Sequence, residues 1–137
     1  MILVFGKTGQ VAIELQRQAP EAARLTALPR AQADLSDPAA CAEAIRTLKP
    51  SVVINAAAYT AVDRAEEEEP LATRINGEAP GAMARACADL GIPLVHISTD
   101  YVFDGSGESP RTPSDPASPS NAYGRSKLAG EEAIRAS

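Results

Sequence analysis

The chain has 137 residues, and its 13 Lys and Arg against 18 Asp and Glu leave a net charge of −5, which excludes a general binder of nucleic acid or of an anionic membrane. A composition of 45% hydrophobic and 23% charged residues excludes whole-chain disorder, collagen and coiled coil. The length predicts one domain with a core that needs no metal or disulfide staple. No apolar run approaches the length of a membrane span. Met1-Ile2-Leu3-Val4-Phe5 lacks the basic start and cleavage site of a signal peptide, so a cytoplasmic protein is expected. Cys41 and Cys87 each sit in Ala-rich sequence and read as small buried apolar side chains; with a single His, no metal site is expected.

Short apolar runs alternate with helical patterns. Ile2–Phe5 predicts a first strand, and Gln10–Gln18 a helix with Val11, Ile13 and Leu15 set among Glu14, Gln16 and Arg17. Leu25–Leu28 predicts a second strand. Pro38–Leu48 predicts a second helix, with Asp37 as N-cap, Pro38 at the first helical position and an end at Lys49-Pro50. Residues 52–54 predict a third strand. Residues 66–90 form a helical region in two pieces, because Pro70 and Pro80 interrupt it; the bend is placed near Asn76-Gly77, read as a plain turn, and Gly91-Ile92-Pro93 closes it. The acids at 66–69 read as the solvated start of that helix, where the dipole favours negative charge. Residues 94–97 predict a fourth strand, residues 104–119 a long irregular loop rich in Pro, Gly and Ser, and a last helix runs from near Asn121 to the end. The apolar runs are near-continuous, as in strands covered on both faces. Strand–helix alternation of this kind implies an α/β fold, a Rossmann-type doubly wound parallel sheet with right-handed crossovers.

The turn Phe5-Gly6-Lys7-Thr8-Gly9-Gln10-Val11-Ala12 joins the first strand to the first helix, where a dinucleotide-binding fold needs small residues. Gly6 permits the tight turn, Gly9 lets the backbone approach a pyrophosphate, and Ala12 allows close helix–strand packing. The helix N-terminus adds free N–H groups and the positive end of its dipole. An NAD-preferring site places an acid at the end of the second strand. Here that strand ends Leu28-Pro29-Arg30. Arg30 reads either as a partner for a 2′-phosphate, which favours NADPH over NADH, or as a solvated loop residue. Asp34 reads as a turn cap or as a residue near the adenine.

Tyr123 and Lys127 lie four apart on a helical pattern, so they share a face with Cβ atoms about 5–6 Å apart. A phenol beside an ammonium is a serviceable general acid. Ser98-Thr99-Asp100 falls at the carboxyl end of the fourth strand, where open α/β sheets bind their ligands, and a hydroxyl there can hold a substrate oxygen. Asn55-Ala56-Ala57-Ala58-Tyr59 follows the third strand, and its small side chains leave room for a nicotinamide ribose.

In this order, four strings carry a resemblance: Gly6-Lys7-Thr8-Gly9-Gln10, Asn55-Ala56-Ala57-Ala58-Tyr59-Thr60-Ala61-Val62-Asp63, Ser98-Thr99-Asp100-Tyr101-Val102-Phe103-Asp104-Gly105 and Tyr123-Gly124-Arg125-Ser126-Lys127-Leu128-Ala129-Gly130-Glu131. The chain resembles the extended short-chain dehydrogenase/reductase superfamily and, within it, the dTDP-4-dehydrorhamnose reductase family. The resemblance implies hydride transfer from NADPH, with NADH as the alternative, to the C4 ketone of the dTDP-linked deoxyhexulose dTDP-4-dehydro-6-deoxy-L-mannose, giving dTDP-L-rhamnose. It implies Tyr123 as proton donor, Lys127 as its electrostatic partner and binder of the nicotinamide ribose, and Thr99 as the hydroxyl that orients the carbonyl. Gly6, Gly9 and Gln10 are then expected at the pyrophosphate, with Val11 and Arg30 also on the cofactor. Asp34 and Leu35 are expected on the adenine side, and Ala56, Ala57 and Tyr59 at the nicotinamide half. Asp100, Tyr101 and Val102 are expected towards the sugar.

The resemblance departs from the family in two respects. Ala12 stands where the family's turn has a third glycine. The family's members are also roughly twice as long, so residues 1–137 are expected to be an incomplete NAD(P)-binding Rossmann-like domain, truncated before the later strands and the substrate lobe. The expected partners are the nucleotide-sugar and either a second copy of the chain or a complementing C-terminal part. Two rival readings remain: another nucleotide-sugar epimerase or dehydratase, and a non-catalytic dinucleotide-binding regulatory subunit. Tyr101 after Asp100, where a dehydratase wants a second acid, argues against the dehydratase. The presence of Thr99, Tyr123 and Lys127 together argues against the subunit.

Overall fold

The computed structural model describes residues 1–20 and 22–137. The elements run β1 (Ile2–Phe5), α1 (Gln10–Gln18), β2 (Leu25–Leu28), α2 (Pro38–Leu48), β3 (Val52–Asn55), α3 (Val62–Ala65), α4 (Glu69–Thr73), a π-helical turn (Arg74–Glu78), α5 (Ala79–Leu90), β4 (Leu94–His96), a 3-10 turn (Asp100–Val102) and α6 (Ala122–Arg135). The strands form one parallel sheet in the order β2-β1-β3-β4. The chain therefore reverses its direction of travel between β1 and β3, and a Rossmann-like sheet opens its ligand crevice at that point.

Strand register sorts the side chains onto two faces. Leu3, Phe5 and Val53 stand in line with Leu28 and Leu94 on one face. There they pack against Ile45 and Cys41 of α2 and Met83, Ala86 and Cys87 of α5. The opposite face carries Ile2, Val4, Ile54 and Val95, and α1 is laid over its β1–β2 side, with Ala12 fully buried. An apolar groove of about 500 Å³ stays open there between Leu15 of α1 and Ile2, Leu25 and Ile54. Coverage on both faces, expected for all four apolar runs, fails at β4: Val95 is 47% exposed, because β4 is the edge strand and α1 reaches only the other end of that face.

Local signals account for most boundaries. Asp37 accepts a hydrogen bond from the Ala40 N–H at 3.0 Å and Pro38 opens α2, while Lys49 ends it in the left-handed region at φ 45° before Pro50. The region expected as two helices with a bend is one helical path. It passes from α4 through the π turn into α5, and α3, not anticipated, precedes it. Pro80 has no N–H to offer the Asn76 carbonyl four residues back, and the wider turn absorbs that missing bond. Asn76 and Gly77 are both buried in it, so they are not a surface Asn-Gly turn.

Helix α6 packs closely against this turn. A Cβ on Gly81 would lie 2.9 Å from Cβ of Ala133, and one on Gly77 3.2 Å from that of Ala129. A Cβ on Gly130 would run into the Asn76 carbonyl, which is backbone and cannot swing aside. Gly130→Ala is therefore expected to destabilise the fold by about 1–3 kcal/mol, seen as a lower urea midpoint at unchanged denaturant slope; an unchanged midpoint would refute this packing.

Candidate active site

The carboxyl ends of β1 and β3 open onto a cleft of about 450 Å³, a size typical of ligand pockets. Its floor is the turn after β1. Gly6 has φ +102°, and a Cβ there would meet the Ala56 backbone at 3.3 Å, so the β1–α1 turn lies directly against the turn after β3. Gly9 caps α1 with no side-chain hydrogen bond, which leaves the first N–H groups of the helix without a side-chain partner.

The predicted site residues divide into two groups. Gly6, Gly9, Val11, Arg30, Asp34, Leu35, Ala56, Ala57, Tyr123 and Lys127 line the cleft together. Gln10, Tyr59, Thr99, Asp100, Tyr101 and Val102 do not. Gln10 lies on the α1 side, beside the apolar groove. Tyr59 turns its hydroxyl away to Glu68, to which it donates at 2.7 Å. Thr99 caps the 3-10 turn, its hydroxyl oxygen accepting from the Tyr101 N–H at 3.2 Å, with exposed Asp100 beside it. The Tyr101 ring stands edge-on to the Tyr123 ring, with centroids 5.6 Å apart, and Val102 is buried.

Sequence reasoning missed Ser98, Lys7 and Ile75 as cleft residues. Lys7 and Ser98 stood inside the motifs already singled out. Ile75 carried no signal, because only the π turn brings it there. Arg30 pairs with Asp34 at 3.1 Å, and Asp34 also accepts from the Ser36 N–H at 2.9 Å. The Ser36 hydrogen bonds, with Arg30 assisting, hold the Asp34 carboxyl below its ordinary range. Asp34 thus caps its turn and faces the cleft at once.

Lys127 is only 2% exposed, and its Nζ donates to the Ile97 carbonyl at 2.6 Å. Burial pushes its pKa below the ordinary lysine value, against the opposing pull of the Glu131 carboxylate. Behind it the Asn55 amide donates to Nδ1 of His96 at 3.1 Å, so the ring proton sits on Nε2, which is buried with no partner among the described residues. Asn55 also accepts from the Ala57 N–H at 3.2 Å and so shapes the turn that faces Gly6. Asn76, 1% exposed, joins three pieces: its Oδ1 accepts from the Tyr59 N–H at 2.8 Å, and its Nδ2 donates to the Tyr59 carbonyl and to Ser126 Oγ, each at 2.9 Å. Ser126 Oγ in turn donates to the Tyr123 carbonyl at 2.7 Å.

A parallel sheet reversing between β1 and β3, a glycine turn under an uncapped helix start and a Tyr–Lys pair at the same cleft define a Rossmann-like α/β protein. The whole chain, residues 1–137, matches the model of the family described as the RmlD substrate binding domain, and the chain belongs to that family. It is 48% identical to the dTDP-4-dehydrorhamnose reductase of Salmonella typhimurium over 98% of its own length and 46% of the relative's. It is 50% identical to the enzyme of the same name from Burkholderia thailandensis, over 97% of the chain and 45% of the relative. Its structure superposes with TM-score 0.93 on the dTDP-4-dehydrorhamnose reductase of Clostridium acetobutylicum, at 40% identity over 98% of this chain and 49% of that one. The Bacillus anthracis enzyme in complex with NADP gives the same score at 32% identity, over 98% of this chain and 48% of that one. The chain spans about half the length of the relatives it matches. No helix among the described residues is long and apolar enough to cross a membrane.

Burial, reinforced by the Lys127 charge, pushes the His96 ring down to about 4 from 6.5. The unfolded chain therefore binds this proton more readily between those values, so the contribution is complete above pH 6.5 and is lost as pH falls towards 4. After discount for the part of the ring that water reaches, this amounts to about 2 kcal/mol. Urea midpoints measured across that window should fall in the parent chain and fall less steeply in His96→Gln. Equal slopes would show that the ring is not held neutral.

Proposed function

We propose that residues 1–137 are the cofactor-holding part of an NADPH-dependent dTDP-4-dehydrorhamnose reductase, which reduces the C4 ketone of dTDP-4-dehydro-6-deoxy-L-mannose to dTDP-L-rhamnose. The observation that carries this reading is the meeting of Tyr123 and Lys127 with the Gly6–Gly9 turn at one cleft. Family membership and the names of the relatives agree with it.

The residues present fit a nicotinamide dinucleotide. The α1 N-terminus offers N–H groups to a pyrophosphate, and Gly6 and Gly9 let the backbone come close. Asp34 and Leu35 take the adenine side, Ala56 and Ala57 leave space for the nicotinamide ribose, and Lys127 binds that ribose through its ammonium. A bound nicotinamide supplies the hydride. Tyr123 delivers the proton to the ketone oxygen, and the Lys127 charge steadies the phenol oxygen as it gives that proton up. Thr99 orients the carbonyl after leaving its turn-capping bond to the Tyr101 N–H. β2 ends in Leu28-Pro29-Arg30 with no acid at its tip, and Arg30 and Lys7 both line the cleft, which favours NADPH over NADH. A binding-only subunit would have no use for a phenol, Tyr123, set at the same cleft as that ammonium. Since the chain spans about half the relatives' length, cofactor binding is proposed for residues 1–137 and turnover for a protein of the relatives' length.

Fluorescence titration of the folded chain should show NADPH bound in the micromolar range, with Lys127→Met weakening it at least about tenfold. Tyr123→Phe should bind NADPH like the parent. In the longer protein, the same change should lower ketone-dependent NADPH oxidation by roughly 10²–10⁴-fold. A folded chain that binds neither NADPH nor NADH would end the cofactor reading.

A further inference from the structure

The acids at 66–69 stay solvated around the start of α4, as expected, but three of them also reach partners elsewhere. Glu66 accepts from the Ala122 N–H at 2.7 Å, across 56 residues of sequence. Glu69 receives Nε and Nη2 of Arg125 at 2.7 and 3.1 Å. Glu68 holds the Tyr59 hydroxyl at 2.7 Å and Arg64 at 2.8 Å. Ala122 is the first residue of α6, whose cap, Asn121, accepts from the Gly124 N–H at 2.7 Å. Residues 122, 124 and 125 are thus each held by a side-chain contact, and Tyr123 lies between them. The Tyr123 ring packs beside Tyr59 against the buried methyl groups of Ala65, Ala72 and Ala122, with the Tyr101 ring edge-on to it.

A carboxylate on the first N–H of a helix combines a charge-assisted hydrogen bond with the favourable end of the dipole, and a two-point Arg–carboxylate pair fixes direction as well as distance. Two such contacts from one short segment restrain both the rotation and the advance of the first turn of α6. We propose that Glu66 and Glu69 are positioning residues: they clamp the first turn of α6 to the segment from the end of α3 to the start of α4 and so set where the Tyr123 hydroxyl stands in the cleft. The functional meaning of that placement rests on the reading of Tyr123 as proton donor; the placement itself does not.

The test is carbon-13 NMR of the chain labelled at tyrosine Cζ, whose three tyrosines give three resonances, with Tyr123 assigned from Tyr123→Phe. Glu66→Gln keeps an acceptor for the Ala122 N–H and should leave the Tyr123 resonance where it stands in the parent. Glu66→Ala should displace it and reduce its further shift on adding NADPH, while NADPH affinity changes less than about threefold, because the glycine turn is untouched. Arg125→Met, at a side chain that is 46% exposed, should displace the resonance in the same sense, and it serves in place of Glu66→Ala should that variant not fold. A lower urea midpoint with the folded-state Tyr123 resonance unmoved would mean the acids only stabilise, and would overturn the proposal, as would Glu66→Gln behaving like Glu66→Ala. If the parent binds no NADPH, the reading of the cofactor fails, and the resonance of the free chain still decides the positioning.

Discussion

The side-chain amide of Asn76 is the tie on which the cleft depends. A buried amide left unpaired costs about 1–3 kcal/mol, so its partners are held as firmly as it is. Two of those partners are the backbone N–H and carbonyl of Tyr59, which fix the turn after β3; the third is Ser126, one residue before Lys127. One side chain therefore sets the distance between the wall of the cleft and the helix that brings Tyr123 and Lys127 to it. The π turn is what makes this reach available. In a regular helix the Asn76 carbonyl would bond the residue four positions on, and Pro80 has no hydrogen to give. The carbonyl instead faces Gly130, where no Cβ stands in the way.

The second constraint is charge. Lys127 and His96 lie close behind the same wall, and two cations could not both be held there without water. The fold settles this by keeping His96 neutral through burial and giving its Nδ1 to Asn55, while the ammonium takes the Ile97 carbonyl. A cation at such a place has its charge aimed into the cleft, where the surroundings screen it least.

The sheet was legible because its signals are local. Ile2–Phe5 and Leu25–Leu28 are apolar runs bounded by breakers, and Asp37-Pro38 is a helix start written in adjacent residues. The glycine turn was legible for the same reason. Contacts between distant residues were not. Nothing around Glu66 indicates that its carboxylate meets Ala122, and nothing around Asn76 indicates Ser126 as its partner, since both pairings exist only once α4, the π turn and α6 are packed. Val95 was misjudged because an apolar strand residue looks the same whether its face is covered or open. Tyr59 was expected at the cofactor, but its hydroxyl is turned away to Glu68, a partner that sequence spacing does not reveal.

The strength of these contacts is unevenly distributed, and that bears on what the chain holds rigid. The cleft is built from sheet ends, the buried Asn76 amide and the contacts of Glu66 and Glu69 with α6, all of them between residues far apart in sequence. The segment after the 3-10 turn is held mostly by its own neighbours: Arg111 meets Asp104 at 3.1 Å and Thr112 N–H meets Asp115 at 2.8 Å. Exposed short-range bonds of that kind open at low free energy, whereas the packed turn around Asn76 opens only with the fold itself. Thr99 stands on the boundary between the two regimes. Its hydroxyl is spent on the Tyr101 N–H, a backbone group that water or a neighbouring residue can satisfy at little cost. Tyr123 and Lys127 are thus set in advance, and Thr99 is the residue left freer to move.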